Sequence, residues 1–363
     1  MISLYRYHLP FKKPFATSLG SFSHREGLLI QYKDDQLESV VEAAPLPGFS
    51  VETTTEIERL LTGNAERLNT FYNSAFTKSD LNAFLDSLPQ LPSIQFALSW
   101  LGIDLLIQRN RETYQSLFQK TPATSIRVNA TVGISDEETT IAAIDNFSEQ
   151  GFDTIKLKAS QSINKLVSIL DTSTSRHPKL YFRIDANQSW QSENLTSILN
   201  QLLPFPIEYI EEPIAFKTID EVAELSKASP IPIALDESLN RTISLEAALE
   251  RLTQTVLIIK PMMMGNFLKL YETITRFRSL VDSIVVTTSL ESAVGRRMVI
   301  KAASIIGDKA KAHGLHTGPL FTSDLREEQL ISGSSITVGK MRGFTMSELK
   351  SDLLVPIGSY GNE

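Results

Sequence analysis

The chain has 363 residues, 42 % of them hydrophobic, with a formal charge of -7 at pH 7. That is enough for one large barrel plus a smaller domain, and the acidic balance argues against nucleic-acid partners. Cysteine is absent, which excludes disulfides, thiolate zinc sites and cysteine nucleophiles; with no long uncharged apolar run and no apolar leader in residues 1–9, the chain reads as soluble and cytoplasmic, without a membrane partner.

Residues 2–9, 27–32 and 38–42 have strand-like patterns, and 53–61 and 94–108 carry apolar residues at helical spacing. They predict an α+β domain over residues 1–121. Between its first two strands, residues 16–27 form a polar stretch bounded by glycine. From residue 122, short β-rich runs alternate with helical stretches such as 137–150, 161–173 and 219–228. This alternation predicts a parallel sheet with crossover helices over residues 122–325. Strand candidates continue at 283–287 and 314–316. The tail, 326–363, is unlike a barrel unit and is expected to return to the first domain.

Five charged residues, Lys158, Asp185, Glu211, Asp236 and Lys260, each follow an apolar strand-like run. Their intervals match one strand plus one helix, the pitch of a (β/α) barrel, so all five should collect at one mouth. Asp185, Glu211 and Asp236 offer only oxygen ligands, which favours Mg²⁺ over zinc. At about 4 Å and an effective dielectric near 20, each carboxylate pair repels by about 4 kcal/mol, so the three call for a cation. Lys156 and Lys158 lie two apart on a strand and share a face. Bringing a lysine from a pKa of about 10.4 to about 7.5 costs about 4 kcal/mol, and a second ammonium about 6 Å away supplies about 3 kcal/mol of that. Lys260 lies further round, as either an acid/base or an electrostatic stabiliser. A divalent cation facing a lysine suits removal of a proton α to a carboxylate.

Lys156-x-Lys158, Asp185-Ala186-Asn187, Glu211-Glu212-Pro213, Asp236-Glu237-Ser238 and Lys260-Pro261 resemble the successive strand-end motifs of the muconate-lactonizing subgroup of the enolase superfamily. The resemblance implies an α/β fold: a modified TIM barrel of (β/α)7β type, with an α+β capping domain built from the N-terminal segment and the C-terminal tail. It also implies Mg²⁺ on Asp185, Glu211 and Asp236, with Lys158 as base and Asn187 and Glu237 supporting the ligands. The subgroup includes o-succinylbenzoate synthases, muconate cycloisomerases, dipeptide epimerases and N-succinylamino-acid racemases, and the shared motifs do not choose among them.

Three features resemble the o-succinylbenzoate synthases. Arg183 stands two residues before Asp185 on the same face. Residues 288–295, with Ser289, Glu291 and Ser292, resemble a loop whose amides and hydroxyls hold a succinyl carboxylate. Residues 313–320 lack the Asp-x-Asp of dipeptide epimerases. The implied activity is Mg-dependent dehydration of a small carboxylate, 2-succinyl-6-hydroxy-2,4-cyclohexadiene-1-carboxylate, in menaquinone biosynthesis. The alternatives are another enzyme of the subgroup and, more remotely, a non-catalytic scaffold. Ser18, Leu19, Gly20 and Arg25 resemble a mobile loop that covers the substrate. His24 and His316 have no role in the family pattern. The sequence specifies no oligomeric state.

Overall fold

The alternating N-terminal residues form a long antiparallel pair, β1 (Ile2–Thr17) and β2 (Gly20–Lys33), joined along its other edge by β3 (Glu38–Ala43). The computed structural model describes residues 1–17, 20–159, 162–277, 281, 283–327, 331–338 and 343–360. Leu4, Leu28, Ile30 and Val41 on one face of the sheet, and Tyr7, Leu9, Leu29 and Val40 on the other, are buried. Helices α1 (Thr54–Gly63), α2 (Ala65–Asn73), α3 (Lys78–Asp86), α4 (Pro92–Gln108) and α5 (Tyr114–Phe118) follow. Thr53 with Glu56, and Thr77 with Asp80, form reciprocal caps that start α1 and α3. Helix α4 is apolar nearly all round because it is buried on nearly every side. No helix among the described residues is long and apolar enough to cross a membrane.

After β4 (Ser125–Arg127) the chain builds a parallel sheet in sequence order. Its strands are β5 (Ala130–Gly133), β6 (Thr154–Lys158), β7 (Tyr181–Asp185), β8 (Ile207–Glu211), β9 (Ile233–Leu235), β10 (Thr255–Ile259) and β11 (Ser283–Val286). The crossovers carry α6 (Glu137–Glu149), α7 (Ile163–Arg176), α8 (Ser192–Leu202), α9 (Ile219–Ala228), α10 (Glu237–Arg241), α11 (Leu245–Arg251), α12 (Pro261–Met264) and α13 (Phe267–Phe277). Helix α14 (Ala293–Ile306) follows β11. The eighth position is only a pair of bridges, Thr287 to Gly314 and His313 to Val128, yet these close the barrel. The strand expected over 314–316 is therefore shorter and sits slightly earlier.

The register explains how the strand ends form a ring. Gly133, Lys158, Asp185, Glu211, Ala234, Val256 and Ser283 stand at one level. Continuing across the two closing bridges, that level returns to the first strand at Ser125, eight residues below Gly133. This is the stagger of a tilted eight-stranded barrel. A ring across the axis must climb along successive strands, so Asp236 lies two residues beyond Ala234 and Lys260 four beyond Val256.

The tail adds β12 (Ile331–Ser332), β13 (Ser335–Thr337) and β14 (Leu354–Tyr360). Strand β13 pairs with β4, while β14 pairs antiparallel with β1 and completes the cap sheet, β14-β1-β2-β3.

Barrel closure leans on His313, whose Nδ1 accepts the Val286 amide at 3.0 Å while its own amide donates to the Arg127 carbonyl. Burial, with the nearby Arg183 charge, pushes the imidazole down to about 3. A histidine held neutral in the fold contributes stability above its unfolded pKa of about 6.5, and this is lost as pH falls towards 3. Between pH 7 and 5 the loss should be about 2 kcal/mol. The urea-unfolding stabilities of wild type and His313→Asn should therefore converge over that range; curves that stay parallel would show that His313 does not titrate this way.

Candidate active site

Alternation along β6 sends Ile155 and Leu157 into the apolar packing and puts Lys156 and Lys158 on the other face. The Lys156 Nζ donates to Glu211 Oε1 at 2.7 Å and lies 2.9 Å from Asp185 Oδ2, bridging the ends of β7 and β8. Lys158 is directly in register with Asp185. Asp236 follows β9, Lys260 follows β10, and the Lys260 Nζ donates to Asp236 Oδ2 at 2.6 Å. The five charged residues do meet at one mouth, with Lys156 beneath them.

Burial alone would lower the Lys156 pKa, but the Asp185 and Glu211 carboxylates outweigh it and hold the group above the ordinary lysine value. Lys260 is likewise raised by Asp236 and Glu237 against its burial. Asp185 is buried, yet the Lys156 and Lys158 ammoniums keep it below the usual range. Glu211 moves up through burial and the neighbouring Asp185 and Asp236 charges, despite Lys156. Burial and Asp236 push Glu237 up to about 7. The lysines thus leave the carboxylates under-compensated. Glu211 Oε2, Asp236 Oδ1 and Glu237 Oε2 are buried without a hydrogen-bond partner among the described residues. Oxygen donors with orphaned acceptors fit a hard divalent cation held by Asp185, Glu211 and Asp236.

The tandem Glu211-Glu212 splits its duties. Glu212, at φ 42°, accepts hydrogen bonds from the amides of Asp236 and Ser238, the Ser238 hydroxyl and Gln188 Nε2, at 2.7–2.9 Å. It thereby ties the loops after β7, β8 and β9 together. Asn187, also at positive φ, donates from its amide to Asp185 Oδ1 at 3.1 Å and from Nδ2 to Glu237 Oε1 at 3.0 Å.

Other expected site residues lie elsewhere. Arg183 is fully buried, one layer below Asp185; it holds Glu208 at 2.7 Å, Asn129 and the Ala312 carbonyl, with Tyr209 4.8 Å from its guanidinium. It forms an internal ion pair below the mouth, with Nη2 left without a hydrogen-bond partner among the described residues. Ser292 donates its hydroxyl and amide to Glu42 of β3, so it joins the barrel to the cap instead of facing substrate. The amides of Thr288, Ser289, Ala293, Val294 and Gly295 are also committed to protein acceptors, which removes most of the expected carboxylate cradle. Ser289 and Glu291 are buried at the end of the seventh strand, and burial pushes Glu291 up to about 7.

The expected covering loop is mostly strand. Ser18 and Leu19 lie outside the described residues, and Gly20 opens β2. Arg25 is no mobile element: it is 2 % exposed and donates to the carbonyls of Leu290, Glu26, Pro45 and Ala44. Sequence reasoning missed Phe49, which lies 5.8 Å from the Lys260 Nζ and beneath Arg241. An aromatic following Pro47-Gly48 in the cap was the available signal.

The chain matches the family described as Enolase C-terminal domain-like over residues 139–328, and MenC, N-terminal domain, over residues 1–103. An o-succinylbenzoate synthase from Desulfotalea psychrophila is 27 % identical, with 93 % of this chain and 98 % of that one covered. An L-amino acid-D/L-Glu epimerase from Sulfurimonas denitrificans is 23 % identical, with 88 % and 93 % covered. In structure, the o-succinylbenzoate synthase from Thermosynechococcus elongatus BP-1, with Mg in its active site, aligns at a TM-score of 0.67 and 20 % identity, over 89 % of this chain and 94 % of that one. The first of these matches covers more than half of the chain and takes in the whole ring from Lys156 to Lys260, and by it the chain belongs to the enolase superfamily.

Proposed function

We propose that the chain is an o-succinylbenzoate synthase, a cytoplasmic Mg²⁺-dependent hydro-lyase that converts 2-succinyl-6-hydroxy-2,4-cyclohexadiene-1-carboxylate to 2-succinylbenzoate in menaquinone biosynthesis. The proton-abstraction chemistry rests on the pair of lysines, Lys158 at the end of β6 and Lys260 after β10, four positions apart on an eight-position ring with the three carboxylates between them, and the observation that carries the substrate is the match to MenC, N-terminal domain, over residues 1–103. Mg²⁺ held by Asp185, Glu211 and Asp236 would supply the positive charge that stabilises a substrate carboxylate as the adjacent carbon loses its proton.

Lys158 takes the proton α to the carboxylate. Lys260, held beside Asp236, opposes the developing negative charge from the far side. The electron pair left by the broken C–H bond then expels the ring hydroxyl, and protonated Lys158 returns its proton to that oxygen, releasing water and an aromatic ring.

Two further observations support dehydration. Residues 313–320 contain no acid to meet a substrate ammonium. Asp324, beyond them, is already taken by Arg296 and by the amides of Ala293 and Leu325. The second reading is an N-succinylamino-acid racemase, favoured by the same opposed lysines, which could work the two faces of one carbon.

Mixing the enzyme with the succinyl-hydroxycyclohexadiene carboxylate and Mg²⁺ should abolish the diene absorbance, and EDTA should stop the change; folded, Mg²⁺-binding protein that leaves the absorbance untouched would sink the synthase reading. Lys158→Ala should lower turnover by about 10²–10⁴-fold, while calorimetry finds Mg²⁺ bound as well as before or better, because a like charge has gone. Asp185→Asn should weaken Mg²⁺ binding and activity together, and unchanged Mg²⁺ affinity would remove Asp185 from the ligand set. Lys260→Arg keeps the charge but not a usable acid/base, so it should retain measurable dehydration and lose any racemisation; loss of both would give Lys260 a proton-transfer role.

A further inference from the structure

Outside the barrel mouth, three side chains converge where the β1–β2 pair extends towards its hairpin, His8 exposed and His24 and Glu26 half-buried. His8 lies directly opposite Glu26, and His24 stands two residues before Glu26 on the same face. His8 Nδ1 is 3.2 Å from Glu26 Oε1, and His24 Nε2 is 3.5 Å from the same oxygen. The two imidazoles stack at 4.0 Å between centroids, so two of the chain's five histidines share one carboxylate. Among the described residues this is the one group of three histidine or acidic side chains whose ligand atoms all fall within 4.8 Å of one another.

We propose that His8, His24 and Glu26 form a site for a borderline divalent ion of the Zn²⁺ class, separate from the oxygen-only set in the barrel. Bonds of about 2.0–2.1 Å to a tetrahedral ion place neighbouring ligand atoms about 3.3 Å apart, and 3.2 and 3.5 Å bracket that separation. Two imidazoles and one carboxylate leave a fourth position for water and select zinc-like ions over Mg²⁺. His24 Nδ1 lies 3.1 Å from the Ser23 hydroxyl, which holds the ring with Nε2 towards Glu26, the outer-partner arrangement of metal-binding histidines.

The backbone beneath is fixed. Leu9 and Arg25, paired on the opposite face, are buried, and Arg25 is anchored to four carbonyls. Just beyond, the ladder loses register between Pro10 and Phe15. An ion here staples β1 to β2 where the hairpin leaves the body of the sheet.

The inference does not depend on the reaction assigned to the barrel. ZnCl2 titrated calorimetrically into the full chain, with the barrel site weakened by Asp185→Asn and MgCl2 in excess, should show one site per chain. Adding His8→Ala, at an exposed position, or His24→Ala, at a half-buried one, should weaken that site at least about tenfold. Absence of Zn²⁺ binding in the Asp185→Asn chain, or an affinity indifferent to both histidines, would overturn the site.

Discussion

The Lys156 ammonium, wedged between Asp185 and Glu211, is the contact on which the barrel mouth depends. Three strand ends deliver carboxylates into a nearly dry space, and each would repel the others by several kcal/mol at an intermediate dielectric. Lys156 rises from one layer below and contacts two of them at once, offsetting part of their charge, while Lys260 reaches the third. Removing one member of such a buried set leaves an uncompensated charge, a change that costs about 3–5 kcal/mol. The same balance explains why Glu212 must turn away: a further carboxylate aimed inward would have no cation to meet, whereas its actual position gives it four donors.

A second constraint fixes the cap on the barrel. Glu42 of β3 is fully buried and accepts from the Tyr7 hydroxyl at 2.6 Å and from the amides of Ser292 and Gly295 at the start of α14. A carboxylate there satisfies helix amides that have no partner within the helix and complements the helix dipole. Arg25 supplies the reciprocal contact, donating to the Leu290 carbonyl. Further along the same helix, Lys301 meets Asp104 of α4 at 3.1 Å. The loop after the seventh strand, with Leu290 at φ 62°, is thus gripped from the cap side, so one wall of the mouth takes its shape from residues some 250 positions earlier.

That distance is also why parts of the site could not be read from the sequence. The strand-end charges were legible because a parallel barrel repeats one strand and one helix, and each charge ends an apolar run that must be buried. The helices read over 137–150 and 219–228 were legible as helical stretches between β-rich runs, and they form over Glu137–Glu149 and Ile219–Ala228. The first strand was read over residues 2–9, yet β1 continues past Pro10 and Pro14 to Thr17, with a register shift in the ladder there. Arg25 looked like part of a polar loop, since nothing local signals that its partners are the backbone carbonyls of residues 44, 45 and 290. Ser292 and Arg183 carried the right residue types at plausible spacings, but each also has an acidic partner distant in sequence, Glu42 and Glu208, that no local pattern signals.

The ring leaves one chemical distinction to the lysines. A dehydration that ends in an aromatic ring is driven by its product and asks for a single mobile proton, carried by Lys158, with Lys260 serving as a fixed charge. A racemisation asks Lys260 to give and take protons as readily as Lys158. The two lysines are not held alike: Lys260 is tethered to Asp236 at 2.6 Å, raised above the ordinary lysine value by Asp236 and Glu237 against its burial, and lies near the face of Phe49. Every one of these contacts favours its charged form. Freeing Lys260 for symmetric proton exchange would require Asp236 to turn its charge to another cation, and its orphaned Oδ1 is the atom positioned to do so. On the proposed reading Asp236 would face the metal with one oxygen and Lys260 with the other, so a cation bound there would weaken the hold of that carboxylate on Lys260.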